Sequence, residues 1–387
     1  MTRLRYLTAG ESHGPALTAI VEGCPAGLEL TADAVDRDLA RRQKGYGRGL
    51  RQAIETDRVR IVGGVRYGRT TGAPIALQVV NRDAGNWGTI LSPELPEDGA
   101  VEPPVRVPRP GHADLGGALL YDLTDIRDVI ERASARETAA KVACGAVARQ
   151  LLAALGCTVA SHVVAVGGVT AAVPATLEAL AAVEDDPLRC LDPDASARMR
   201  DAVDAATEAG DTLGGVVEVI AYGYPQGVGT YVQGDRRLQS RLAAAVFGVQ
   251  AIKGVEFGLG FGVAALPGSK VQDPAVYAEG AGYGRVSNNA GGIEGGISTG
   301  QPLVLRAAMK PISTLHSPLP TVDMETHEAV GARYERSDVC AVPAAGVVLE
   351  AVVALALADA ALDAFGGATV GDVAAAVEAY RSRTALR

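Results

Sequence analysis

Aromatic residues make up only 4% of this 387-residue sequence, with Trp87 the one tryptophan. A core of stacked rings is excluded, so Val, Leu, Ile and Ala must fill the interior with backbones packed close together. Cysteine is scarce as well. Cys24, Cys144, Cys157, Cys190 and Cys340 are odd in number, scattered and without a CxxC pair. That pattern excludes a disulfide framework and a zinc motif, and it fits a reduced, cytoplasmic chain. Positive charge is in deficit, and a net charge of −9 argues against nucleic acid or an anionic membrane as partner. Long apolar runs are missing: the most apolar stretch, Val347 to Leu362, is broken by Glu350 and Asp359. The opening MTRLRYLTAGESHG reaches a polar motif before a signal-peptide core could form, so no membrane-spanning or secretory segment is expected.

Glycine is plentiful, at 47 residues, and it clusters. Between Ser287 and Thr314 the run SNNAGGIEGGISTGQPLVLRAAMKPIST places Gly291, Gly292, Gly295 and Gly296 just before an apolar strand. Such clustering serves positive φ or a close backbone approach, here expected to be toward a ligand. A basic island lies elsewhere: Arg37 to Arg69 holds ten Arg/Lys against three acids. In an acidic protein that island suggests a site for a small polyanion, although a solvated face has the same composition.

Short β-branched or alternating runs at about 4–8, 17–22, 59–63, 74–81, 157–166, 213–222 and 302–309 read as strands. Stretches of 3.6-residue period at about 31–43, 134–155, 194–209, 236–251, 343–363 and 369–382 read as helices, with Thr31, Ser134 and Thr369 as N-caps. The order is mixed rather than a regular βαβ alternation, which favours an α+β fold with largely antiparallel β-sheets. Gly45 to Gly49 is interrupted by Arg48 and follows a helix, making it a poor dinucleotide fingerprint. The Pro-rich Ser92 to Pro110 reads as a surface excursion within a single domain of 1–387.

Several short motifs carry chemistry. Gly10-Glu11-Ser12-His13-Gly14-Pro15 puts a histidine on the turn after the first strand, where it is either a proton-transfer group or an ordinary turn histidine. Arg109-Pro110-Gly111-His112-Ala113-Asp114 fixes a second between a cation and a carboxylate. Arg132-Ala133-Ser134-Ala135-Arg136-Glu137 opens a helix whose first N–H groups could hold a phosphate or a carbonyl, with Arg132 and Arg136 on one face if both are helical. Lys310-Pro311-Ile312-Ser313-Thr314 offers a cation and two hydroxyls. Arg336-Ser337-Asp338 spaces a cation and a carboxylate along an extended segment, as a site or as a surface ion pair.

In this order the blocks GESHGP, RRQKGYGRGLR, RPGHADL, RASARETAA, QAIKGVEFG, NNAGGIEGGIS, GQPLVLRAAMKPIST and RSDVCAVPAAGVVLEA closely resemble the chorismate synthase family over nearly the whole chain. The resemblance implies helices sandwiched between antiparallel sheets, a homotetramer, and a lyase of the shikimate pathway. Its reaction is an anti-1,4-elimination of phosphate from 5-enolpyruvylshikimate 3-phosphate to give chorismate, with reduced FMN and no net redox change. Substrate contacts carry over to Arg42, Arg48, Arg109, Arg136 and Arg336. Catalytic roles carry over to His13, which protonates the departing phosphate, His112, on the N1/C2-carbonyl side of the flavin, and Asp338, which assists proton removal through N5. Flavin contacts carry over to Arg132, Ala133, Ser134, Gln250, Ala251, Gly295, Lys310, Pro311, Ile312, Ser313, Thr314 and Arg336. Some members suggest NADPH binding near Arg42 and Arg48, which makes NADPH a candidate reductant. The rival readings are a flavin-dependent oxidoreductase with net hydride transfer and a non-catalytic flavin- or polyanion-binding homologue.

Overall fold

The alternating runs become two antiparallel sheets. The computed structural model describes residues 3–49, 56–88, 90–96, 99, 101–280, 282–335 and 337–385. In the first sheet β1 (Arg5–Ala9), β2 (Ala16–Glu22), β3 (Val59–Gly63) and β4 (Ile75–Val80) lie in the order β1-β2-β4-β3. In the second, β5 (Thr158–Val166), β6 (Val169–Thr170), β7 (Gly215–Tyr222), β8 (Ile252–Phe257) and β9 (Leu303–Met309) lie in the order β8-β9-β7-β5-β6. Period-2 burial sets their faces: Leu17, Ala19 and Val21 of β2 and Ile75, Leu77 and Val79 of β4 all turn inward.

The principal helices are α1 (Ala32–Gln43), α2 (Asp114–Tyr121), α3 (Arg127–Ala133), α4 (Thr138–Ala154), α5 (Pro193–Ala209), α6 (Leu238–Phe247), α7 (Val342–Phe365) and α8 (Val370–Ala385). Helix α4 packs on β2 and β4, α7 packs on β5 and β7, and α4 and α7 pack on each other, so helices fill the space between the sheets. The two helices approach closely because both are rich in small residues. A Cβ added at Gly145 would lie 2.2 Å from the Ala351 Cβ, which is how a chain poor in rings builds a dense core. Although α7 is long and apolar enough to cross a bilayer, 94% of its apolar window is buried inside the protein.

One carboxylate lies inside this helical layer. Glu350 of α7 is wholly buried and meets Arg41 at 2.8 Å, Arg189 at 2.8 Å and Arg149 at 3.5 Å, while Ser161 Oγ donates to it at 2.7 Å. Burial alone would raise its pKa, but the three guanidinium groups outweigh burial and hold it at about 2.

Local signals account for most boundaries. Thr31 Oγ1 accepts from Ala34 N at 3.2 Å, and Thr369 and Asp372 exchange reciprocal bonds of 3.0 and 3.1 Å at the start of α8. Two expectations are corrected. The helix expected over 236–251 ends at Phe247; Ala251 takes φ 68°, and the chain enters β8. The helix expected from Ser134 is split, because Ser134 is extended (φ −60°, ψ 144°) and caps a short 3-10 turn before α4 begins at Thr138.

Candidate active site

The turns at Ser12–His13, Arg109–Ala113 and Lys310–Thr314 converge with the N-terminal parts of α4 and α7 around a cavity of about 740 Å³. The cavity lining includes His13, His112, Asp338, Arg42, Arg48, Arg109, Arg136, Ala133, Ser134, Gln250, Ala251, Lys310, Pro311, Ile312, Ser313 and Thr314. These residues come from seven separate stretches of sequence, and only the sandwich brings them together.

His13 is held from two sides. Its Nδ1 lies 2.8 Å from Glu131 Oε1, and its ring stacks on Trp87 with centroids 4.0 Å apart and planes 18° inclined. Asn81 fixes the turn itself, its Nδ2 donating to the carbonyls of Gly14 at 2.7 Å and Glu11 at 3.2 Å. His112 is held by Asp114, whose carboxylate bonds Nδ1, while Arg109 Nε donates to the same carboxylate at 2.8 Å. Burial would raise the Asp114 pKa. Hydrogen bonds from His112 and Arg109, together with the Arg109 charge, instead hold it well below the usual carboxylate range.

The arginines are oriented by carboxylates behind them. Asp57, with a fully buried side chain, lies 2.5 Å from Arg136 NH1 and 3.4 Å from Arg42 NH1. Arg42 further donates to Thr138 Oγ1 at 2.9 Å and to the Ala135 carbonyl at 3.0 Å. Burial lowers the Arg42 pKa to about 10, with Arg136 and Arg48 adding to the fall and Asp57 opposing it. Arg48 NH1 lies 2.9 Å from Asp338, which also accepts from Gly49 N at 2.7 Å. Its buried Nε has no hydrogen-bond partner among the described residues.

At the far wall Lys310 Nζ donates to the Gly111 carbonyl and to Ser313 Oγ, both at 2.9 Å. Burial, and then Lys253, lower its pKa. Gln250 Nε2 donates to Glu137 at 3.1 Å, while its buried Oε1 has no partner among the described residues. The described lining thus carries five side-chain cations, Arg42, Arg48, Arg109, Arg136 and Lys310, against Glu131, Glu335 and Asp338. An excess of cations on buried, pre-oriented donors suits a small polyanion.

A family profile for chorismate synthase matches residues 4–362. The chain is 55% identical to the chorismate synthase of Geobacillus kaustophilus over 367 residues, covering 94% of this chain and 95% of that protein. With the enzyme of Kocuria rhizophila it shares 55% over 385 residues, 97% of this chain and 92% of that one. A crystal structure of chorismate synthase superposes with a TM-score of 0.80 at 40% identity, covering all of both chains.

The chain belongs to the chorismate synthase family. It therefore has chorismate synthase activity, that of a phosphate-eliminating lyase, and the mixed α+β fold with antiparallel sheets is the chorismate synthase fold.

Not every residue expected at the site of this chorismate synthase lines the cavity. Arg132 turns away: its guanidinium donates to the carbonyls of Gly10 at 3.1 Å and Thr8 at 2.9 Å. With Ser134 extended between them, Arg132 and Arg136 share no helical face. Gly295 sits at φ 60° on a hairpin between Ile293–Glu294 and Ile297–Ser298, outside the lining. Its neighbours explain the glycine cluster differently from a ligand: a Cβ at Gly292 would meet the Pro302 carbonyl at 2.5 Å, and one at Gly296 the Thr230 carbonyl at 2.3 Å. Close packing against the protein's own backbone demands glycine there. Arg336 lies outside the described residues. Reasoning from sequence missed Glu131, Trp87 and Asp57 as site residues. The single tryptophan was the one signal that could have drawn attention.

Proposed function

We propose that the cavity binds 5-enolpyruvylshikimate 3-phosphate together with reduced FMN, and eliminates phosphate in the anti-1,4 sense to give chorismate without net redox change. One observation carries this reading: four guanidinium groups, a lysine and two histidines line the same cavity as Asp338. A substrate with two carboxylates and a phosphate needs that many cations, and planar guanidinium groups meet oxyanions two bonds at a time.

The lining fits the flavin. Ala344, Ala345, Val348, Val249 and Phe247 offer an apolar wall to a flat ring, Gln250 Oε1 is a buried acceptor without a partner among the described residues, and Lys310, Ser313 and Thr314 suit a phosphate tail. Ala133, Ser134 and Ala251 add main-chain groups, and Pro311 and Ile312 shape the turn. When bound, reduced FMN supplies electron density to the allylic system as the C–O bond breaks and recovers it as the C–H bond is lost.

The chain's own groups do the rest. Arg42 and Arg136, sharing Asp57, and Arg48 and Arg109, backed by Asp338 and Asp114, hold the anionic groups with donors fixed before the substrate arrives. His13 donates a proton to the departing phosphate oxygen. Asp338, held between Arg48 and Gly49 N–H, receives the proton lost from the ring carbon. His112, fixed by Asp114 and Arg109, donates toward the carbonyl side of the flavin. We further assign the enzyme to the cytoplasm as a homotetramer, with NADPH as a reductant binding near Arg42 and Arg48; five buried free thiols support a reducing compartment.

Anaerobic assay with dithionite-reduced FMN tests the reading. Phosphate release over many turnovers per flavin is expected. No release, or consumption of flavin electrons one for one with product, overturns it.

A further inference from the structure

Glu131, two residues before the end of α3, is 3% exposed and takes no part in the chemistry assigned above. It nonetheless holds the His13 turn at three points. Its carbonyl accepts from Ser12 N at 3.1 Å, its Oε2 accepts from His13 N at 2.8 Å, and both carboxylate oxygens face His13 Nδ1, at 2.8 and 3.1 Å. Trp87 covers a face of the imidazole by stacking on it. The His13 side chain keeps 13% of its surface, against 2% for Glu131, and both residues line the cavity.

This arrangement bears on which nitrogen transfers a proton. An ionised carboxylate only accepts, so a ring nitrogen facing it must carry hydrogen. The hydrogen available to a ligand is then the one on Nε2. When an imidazolium gives up that proton, the neutral ring left behind is the Nδ1–H tautomer, which a free imidazole disfavours. A carboxylate on Nδ1 offsets that preference, and the bond on the other nitrogen is what sets a histidine's tautomer.

We propose that Glu131, with Trp87 stacked on the ring face, is the positioning residue that fixes His13 as its Nδ1–H tautomer, so that Nε2 alone passes the proton to the departing phosphate. In that step the Nε2–H bond breaks and an O–H bond forms on phosphate, while Nδ1 keeps its hydrogen. The proposal rests on the reading of His13 as the proton donor.

The test uses the full-length enzyme with reduced FMN and 5-enolpyruvylshikimate 3-phosphate, in the variants Glu131→Gln, Glu131→Leu, His13→Ala and the double variant His13→Ala/Glu131→Leu. Glu131→Gln keeps an oxygen for the His13 main-chain N–H and is expected to fold as wild type. We expect kcat to fall roughly 10-fold in Glu131→Gln and roughly 100-fold in Glu131→Leu, with KM within about threefold, since a positioned acid contributes about 10²–10⁴. In the His13→Ala background, Glu131→Leu should cost nothing further, because its effect passes through the imidazole. Nitrogen-15 NMR of histidine-labelled protein, with the His13 signal assigned by its loss in His13→Ala, should show Nδ1–H in the wild-type neutral ring and Nε2–H in Glu131→Leu. Wild-type kcat in both Glu131 variants, a further tenfold loss in the double variant, or an unchanged tautomer in Glu131→Leu each overturns the proposal. Full activity in His13→Ala overturns instead the assignment of His13 as donor.

Discussion

At the scale of single residues, Asp57 shows how an anion site is kept ready. Two buried guanidinium groups, those of Arg42 and Arg136, share its carboxylate, so the pair retains an excess of positive charge that water does not screen. Taking away one partner of a buried ion pair costs about 3–5 kcal/mol because the remaining charge is left uncompensated. Asp57→Asn should therefore lower the melting temperature, and inorganic phosphate, by replacing the lost charge, should raise it by more in the variant than in wild type. Equal shifts with phosphate would show that Asp57 does not set the charge of the site. Arg42→Lys is no conservative change either, since an ammonium cannot reach Thr138, the Ala135 carbonyl and Asp57 together. The motif residues beside turns, such as His13 and His112, were legible in the sequence because Gly and Pro mark turns. Glu131 and Asp57 were not: Glu131 meets His13 across 118 positions and Asp57 meets Arg136 across 79, and no local pattern encodes such contacts.

At the scale of elements, the crossing of α4 and α7 sets two physical effects against each other. Alanine is a better helix former than glycine by about 1 kcal/mol, so propensity alone predicts that Gly145→Ala stabilises α4. The Cβ it adds would sit 2.2 Å from the Ala351 Cβ and 2.5 Å from its Cα, and overpacking of a tight core costs about 1–3 kcal/mol or more. The obstruction is backbone, with no flexible side chain to yield, so sterics should win. Gly145→Ala is expected to reduce the unfolding free energy by about 2 kcal/mol in denaturant titration; a variant as stable as wild type would mean that the helices can separate freely. Strand and helix positions were readable where β2 and β4 alternate and where Thr31, Asp192 and Thr369 cap α1, α5 and α8. Ile252–Phe257 escaped because Lys253, Gly254 and Glu256 break its alternation and it follows a helical run directly. α3 was hidden because the sequence signal of Ser134 as a cap is the same whether or not a helix precedes it.

At the scale of the whole molecule, Glu350 ties distant parts of the chain into one charge network. It joins α7 to Arg41 of α1, Arg149 of α4 and Arg189 of the loop before α5, so its ionisation is coupled to the packing of the entire helical layer. Its pKa falls from 4.5 to about 2 on folding, despite burial, because of those three guanidinium groups. A carboxylate with a depressed folded-state pKa stabilises the protein above its unfolded pKa and ceases to do so as pH falls through the folded value. The contribution is thus complete above about pH 5 and fades between 4.5 and 2, and the shift corresponds to on the order of 3 kcal/mol. Glu350→Gln imitates the protonated side chain at every pH. Denaturant titrations at fixed protein concentration should show the variant less stable than wild type at pH 7, with the difference shrinking steadily below pH 4.5. A difference that stayed constant down to pH 2.5 would mean that the carboxylate acts by shape and hydrogen bonding, and not by its charge. The same variant separates this layer from the active site, because Arg41 pairs with Glu350 whereas its neighbour Arg42 pairs with Asp57. Glu350→Gln should therefore alter stability while leaving phosphate binding at Arg42 and Arg136 equal to wild type at any one pH.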